Sequence, residues 1–89
     1  MPVVSMFYGI VMMMINRARA QHNLPHIYAR SAEFEASISI TGNEILAGSF
    51  QPKKLALVRA WIILHEDELL MNWQLCRAHQ TPLSLPPLQ

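Results

Sequence analysis

The strongest constraint on the fold is a segment, residues 33–40, in which apolar and polar side chains alternate without exception. The apolar positions are Phe34, Ala36, Ile38 and Ile40, and the polar positions are Glu33, Glu35, Ser37 and Ser39. Successive side chains of a strand point to opposite faces, so this period of two predicts a strand with one face in a core and one in water.

The neighbouring segments extend this strand into a sheet. Thr41, Gly42 and Asn43 predict a turn, because glycine and asparagine tolerate positive φ. Residues 44–48 then return as a short strand, which makes a hairpin with 33–40. Residues 27–30 are predicted as a strand before it, after a loop over 21–26 that Pro25 interrupts.

Residues 3–15 are rich in β-branched and methionine side chains, and both alternating sets are apolar. They are predicted to form one strand that is covered on both faces or that faces a partner. The run Met12 to Met14 is also compatible with the start of a buried helix, because a short apolar run does not distinguish the two by periodicity.

A helical pattern begins after Pro52, which suits a first helical turn. Apolar residues then recur every three or four positions over 53–78, as on one face of a helix. A single helix of that length would be about 39 Å long at 1.5 Å per residue, so either one helix or two with a break near residues 65–67 is predicted. Residues 80–89 contain Pro82, Pro86 and Pro87 and are predicted to be extended.

These patterns predict an α+β fold: an N-terminal antiparallel sheet of about three strands, one long or kinked helix or two helices, and an extended proline-rich tail. One domain is expected over residues 1–89, with the sheet in 1–50, the helical segment in 51–79 and the tail in 80–89.

The chain has few charges with which to coat a small globule. It is 52% hydrophobic and 15% charged, whereas soluble domains carry about 25% charged residues. We therefore expect another chain, a second copy or a different protein, to cover part of the apolar surface. Ile63 and Leu70 interrupt the polar face of the helix and, with Leu83 and Leu85 of the tail, are the predicted partner contacts.

The net charge is +1, so no overall field favours nucleic acid. Arg17 and Arg19 would share a strand face with Arg30 nearby, which gives only a weak candidate strip for phosphates. The single cysteine, Cys76, is consistent with a reducing compartment and is predicted to be a small core residue. The apolar run over 6–15 is too short for a membrane span and lacks preceding basic residues, so a cytoplasmic protein is expected.

Three histidines are candidates for chemistry. His22 and His26 are four residues apart, but Pro25 places them on a loop, and Tyr28 supplies no third nitrogen, so no metal or cofactor is predicted. Hydrogen bonding to loop backbone explains this pair better than acid–base chemistry does, because neither histidine has an evident nucleophile or orienting carboxylate beside it. His65 lies on the apolar stripe beside Trp61 and is either a general acid or base or a hydrogen-bonded core residue. No nucleophile or orienting carboxylate is evident, which leaves enzymatic activity open and favours its absence.

Several segments follow one another in a fixed order along the chain: residues 1–2, 5–10 (SMFYGI), 22–26 (HNLPH), 64–70 (LHEDELL) between Trp61 and Trp73, and 85–88 (LPPL). This ordered set resembles a small bacterial family catalogued as domain of unknown function 4160. The resemblance implies a short cytoplasmic protein, encoded beside another small gene in the manner of toxin–antitoxin pairs. The chain departs from the usual family pattern at Gln21, Leu24 and Tyr28.

The combined prediction is a small interaction protein, a subunit of a two-gene, toxin–antitoxin-like complex that binds a partner protein. Two alternatives stay open. One is a small ribonuclease-type toxin that acts on RNA through the His22/His26 loop with Arg17 or Arg19. The other is a homodimeric ligand-binding or regulatory domain.

Overall fold

In the computed structural model, which describes residues 2–14 and 24–89, the strands come first and the helices follow. The strands are β1 (Val3–Phe7), β2 (Ile10–Met13), β3 (His26–Ser31), β4 (Phe34–Ser39) and β5 (Ile45–Ser49), and the helices are α1 (Pro52–Leu64) and α2 (Glu66–Arg77). The strands pair antiparallel in chain order, so they form a five-stranded meander. The α+β class predicted from the sequence is confirmed, with five described strands where about three were expected.

The single strand predicted over residues 3–15 is wrong. The segment folds back on itself, and β1 pairs with β2 through neighbours such as Met6 and Val11. The turn consists of Tyr8 and Gly9, whose φ angles are 50° and 76°. Positive φ at both central residues suits a two-residue hairpin turn, but tyrosine is not a residue that signals one.

The hairpin predicted from 33–40 and 44–48 is confirmed as β4 and β5. Its register shifts between Ser37 and Ile38, where β5 accommodates one extra residue, Leu46. Gly48 has a φ of 81°, and a Cβ at this position would lie 2.1 Å from the Glu35 carbonyl oxygen. Only glycine fits this close approach of the two backbones.

The helical segment divides at His65, so the two-helix form of the prediction is the correct one. Pro52 lies in the first turn of α1, as expected, and His65 leaves helical geometry with φ −116° and ψ 24°. The acidic residues Glu66, Asp67 and Glu68 then form the first turn of α2. Negative charge is favourable there, because backbone N–H groups at a helix start are unpaired.

The core lies between one face of the sheet and the two helices. Its helical members include Val58, Trp61, Ile62, Leu69, Trp73 and Cys76, and its strand members include Val4, Phe7, Ile10, Met12, Ile27, Ala29, Ala36 and Ile38. The rings of Phe7 and Trp61 have centroids 5.6 Å apart, which joins β1 to α1. Burial of Trp61 and its neighbours supplies most of the driving force for folding. Cys76 is buried, as the sequence predicted.

Lys54 ties α1 to the ends of two hairpins. Its ammonium group donates to the Tyr8 carbonyl at 3.0 Å and to Ser31 Oγ at 3.1 Å. Tyr8 lies in the β1–β2 turn and Ser31 ends β3. One side chain therefore fixes the start of α1 relative to both hairpins.

Residues 80–89 carry no helix or strand and run back along the body of the protein. The Leu85 N–H donates to the Val4 carbonyl of β1 at 2.8 Å, and Trp61 Nε1 donates to the Pro86 carbonyl at 2.9 Å. The side-chain amide of Asn72 donates to the Leu83 carbonyl and accepts from the Leu83 N–H. The tail is thus bonded to β1, α1 and α2.

Among the described residues, no helix is both long enough and apolar enough to cross a membrane.

Candidate functional site

The sheet has a second face, opposite the core, that we call the outer face. Alternation along the strands and the register between them assign to it Met6, Val11, Tyr28, Arg30, Glu35, Ser37, Ala47 and Ser49. Its β1–β2 half is apolar, and its β3–β5 half is polar. The polar half brings three groups with chemical capacity, a phenol, a guanidinium and a carboxylate, onto two adjacent strands.

Tyr28 and Glu35 form the main polar contact of the outer face. They are diagonal neighbours, because Tyr28 pairs with Ser37 and Glu35 pairs with Arg30. The Tyr28 hydroxyl donates to Glu35 Oε2. This hydrogen bond, assisted by partial burial, raises the pKa of Tyr28 above its ordinary value. The phenol is therefore held protonated and the carboxylate held in place.

Arg30 lies directly across from Glu35 in the register and is exposed. All six carboxylate side chains of the chain fall within the described residues, and none of them forms an ion pair with Arg30. Its charge acts on Tyr28 in the opposite direction to Glu35 and lowers the pKa of the phenol. An exposed guanidinium of this kind is available to an anionic group such as a phosphate.

The two histidine candidates that the structure describes, His26 and His65, each make a hydrogen-bond contact and lie beside a tryptophan ring. His26 Nδ1 lies 2.9 Å from the Leu24 carbonyl, and its ring lies 4.9 Å from that of Trp73. His65 Nδ1 lies 2.8 Å from Glu68 Oε1 at the break between the helices, and its ring lies 5.2 Å from that of Trp61. These contacts agree with the structural interpretation of both residues.

The other sequence candidates divide between the described and undescribed parts. His22, Arg17 and Arg19 lie outside the described residues, so only Arg30 of the predicted basic strip is placed. Within residues 2–14 and 24–89, no three or more His, Cys, Asp or Glu side chains come together as a metal site would require.

Three exposed apolar and two exposed acidic side chains lie at the end of α1 and the start of α2, and we call them the helix ridge. They are Ile63, Leu64, Asp67, Glu68 and Met71. Ile63 and Leu64 are each 67% exposed and Met71 is 58% exposed. Residues 64, 68 and 71 are spaced four and three apart, as neighbours on one helix face are, although the break at His65 falls between them. The ridge therefore places apolar groups on either side of two carboxylates.

The remaining predicted partner contacts fall in different environments. Leu83 is 56% exposed, whereas Leu70 is half-buried and packs against the core. Leu85 was also predicted as a partner contact, but it is only 9% exposed and belongs to the core cluster, so its side chain is not available at the surface of the chain. The proline-rich sequence around Leu85 was predicted to be extended, and the hydrogen bond from the Leu85 N–H to the Val4 carbonyl holds it against the body.

Asn72 is the functional candidate that the sequence reasoning missed. It is fully buried between the apolar residues Leu69, Trp73 and Cys76 of α2. A buried amide requires hydrogen-bond partners, and those of Asn72 come from the tail. The available signal was an asparagine within an apolar stripe of a helix.

The fold and its surfaces define a small α+β protein. Its tail is bonded to the edge strand β1, its helix ridge is exposed, and its outer face carries a polar cluster. A family model described as Domain of unknown function (DUF4160) matches residues 9–74. The chain belongs to this family. Comparison with curated proteins and with solved structures gave no significant match.

Proposed function

We propose that this protein is a partner-binding subunit that docks a second protein on the helix ridge. The observation that carries the proposal is the exposure of Ile63, Leu64 and Met71 on helices whose other large apolar residues are buried or half-buried. Exposed apolar side chains grouped in this way are typical of interaction surfaces. The low fraction of charged residues supports the same conclusion.

The charge of the ridge sets the chemistry of the partner. Asp67 and Glu68 lie between the apolar ends of the ridge and are exposed. A matching segment would carry apolar side chains on either side of a lysine or arginine, as an amphipathic helix does. The partner proposed is the product of the neighbouring gene, in a two-gene module of the toxin–antitoxin type that the family resemblance implies.

The test is co-expression of this chain with the neighbouring gene product, followed by size-exclusion chromatography with light scattering and by calorimetric titration. The double substitution Ile63→Glu and Leu64→Glu should abolish a complex that the wild-type chain forms. Met6→Glu is the matched control, since Met6 is 63% exposed but lies on β1, outside the ridge. A complex that survives the double substitution contradicts the proposal.

The charge argument has its own test. Asp67→Lys should weaken the same complex by about tenfold or more, because a like charge then faces the basic partner residue. Glu33→Lys makes the same change in the β3–β4 turn, away from the ridge, and should leave affinity unchanged. Equal effects of the two substitutions would show that only overall charge matters.

A second candidate function is cleavage of RNA at the outer face, supported by the Tyr28–Glu35 hydrogen bond beside the unpaired Arg30. Arg30 would bind the phosphate, and Glu35 would take the proton of the ribose 2′-hydroxyl as that oxygen bonds to phosphorus. The bond to the 5′-oxygen breaks, and this oxygen takes the Tyr28 proton. Glu35 then returns its proton to the Tyr28 phenolate across their hydrogen bond, which restores both groups.

This candidate replaces the His22/His26 loop with residues of the sheet. Glu35→Gln and Tyr28→Phe should each reduce cleavage of a single-stranded RNA by about a hundredfold or more. Glu44→Gln is the control, because Glu44 is exposed and lies outside the cluster. RNA that stays intact with the wild-type chain at high concentration rules the candidate out.

A further inference from the structure

Residues 81–89 of the tail are held in the manner of a bound peptide. Asn72 Nδ2 donates to the Leu83 carbonyl at 2.9 Å, and Asn72 Oδ1 accepts from the Leu83 N–H at 2.8 Å. Trp61 contacts the Pro86 carbonyl, and Val4 accepts from the Leu85 N–H. Every one of these bonds is made to the backbone of the tail, so the tail is recognised as an extended main chain.

The groups that bind the tail belong to α1, α2 and β1, and together they define a groove for it. Asn72 and Trp61 are fully buried, and each directs its side-chain polar group at the tail. Pro82 and Leu85 are the buried residues of the tail itself, whereas its other residues are exposed or half-buried. The groove therefore combines main-chain hydrogen bonds with two apolar anchors, which is how strand-like peptides are commonly recognised.

The link between the tail and α2 is short. Ala78 caps the helix, His79 has a positive φ of 61°, and Gln80 donates its N–H to the Leu75 carbonyl at 2.8 Å. These residues reverse the chain so that the tail reaches its own groove. None of the four bonds that hold residues 83–86 involves them.

We infer that the tail is exchangeable: residues 81–89 of a second copy bind the groove formed by α1, α2 and β1 and give a tail-swapped dimer. The same contacts form whether the tail comes from its own chain or from another, so only the link decides between them. Three prolines keep the tail extended before it binds, which lowers the entropy cost of binding between chains. The inference is independent of the helix ridge.

The first experiment deletes His79 and Gln80 from the full chain, so that the tail no longer reaches its own groove. Light scattering should give twice the monomer mass. The matched control inserts Gly-Ser after Gln80, which lengthens the link and should leave a monomer. A monomeric deletion variant, with the tail cut rapidly by protease, overturns the inference.

A second experiment uses the wild-type link. Full chains labelled with light and heavy nitrogen are unfolded, mixed at high concentration, refolded together and examined by native mass spectrometry. Mixed dimers are expected. The Gly-Ser insertion after Gln80 should reduce them by about tenfold or more, because the longer link favours the chain's own groove while the contacts within the groove stay the same. Mixed dimers that persist with the longer link would mean that another surface joins the copies, which overturns the inference.

Discussion

The side-chain amide of Asn72 forms two hydrogen bonds with the backbone of Leu83, one from each of its polar atoms. The amide nitrogen donates to the Leu83 carbonyl and the amide oxygen accepts from the Leu83 N–H, at 2.9 and 2.8 Å. A buried asparagine inside an apolar helix face is costly unless its polar atoms are paired. The tail therefore completes the fold by pairing a group that α2 would otherwise bury unsatisfied.

Substitution Asn72→Ala removes both bonds and leaves the Leu83 N–H and carbonyl without these partners. We expect the free energy of unfolding to fall by about 2–4 kcal/mol. Urea denaturation followed by tryptophan fluorescence measures it. Gln74→Ala lies exposed on the same helix and should change stability by about 0.5 kcal/mol or less. Equal losses in the two variants would show that the bonds to Leu83 contribute nothing.

Gly48→Ala should be strongly destabilising. The new Cβ would meet the Glu35 carbonyl oxygen at 2.1 Å, and residue 48 has positive φ, so β5 must shift away from β4. A loss of about 2 kcal/mol or more is expected in thermal or urea unfolding. Gly42→Ala makes the same change where the nearest atom is the Ser39 side-chain oxygen at 3.1 Å, and it should cost less. The reverse order would contradict this account of the close approach.

Lys54→Met tests the link from α1 to the two hairpins. The substitution keeps an apolar stem but removes the ammonium that donates to Tyr8 and Ser31. A loss of about 1–2 kcal/mol is expected, and hydrogen exchange should increase in the β1–β2 turn. Lys53→Met alters the exposed neighbour and should have little effect on either readout.

The raised pKa of Tyr28 gives the stability a pH dependence at high pH. The hydrogen bond to Glu35 needs the phenol proton, so its contribution is fully present below the ordinary pKa of 10.0 and is lost as pH rises through the higher folded-state pKa. The difference in unfolding free energy between wild type and Tyr28→Phe should shrink above pH 10. Tyr8→Phe is the control, and a difference for Tyr28 that stays constant up to pH 12 would contradict the prediction.

The parts of the fold that follow from periodicity were predictable. The alternation over 33–40 and the spacing after Pro52 gave β4 and the helical segment, because one face of each is buried. The Tyr8–Gly9 turn was not predictable in this way, since tyrosine at positive φ is disfavoured and is held here by pairing of the flanking strands.

The residues of the candidate sites were harder to predict from the sequence than the elements of the fold. His26 and His65 were conspicuous by residue type, but their neighbours Trp73 and Trp61 are close only in the fold. Tyr28 and Glu35 are seven residues apart in the chain and meet only through the register of β3 and β4. Ile63 was predicted to be exposed from the helix pattern alone, and it is.

The bond between Val4 and Leu85 also sets the order of events during synthesis on the ribosome. Strand β1 is translated first, and it lacks this edge partner until the whole helical segment and residue 85 itself have been translated. A nascent chain therefore exposes the β1 edge to other proteins for most of its synthesis, and an unprotected edge favours aggregation. Chaperones that shield extended segments should bind stalled chains ending before residue 80 more strongly than chains released with the tail.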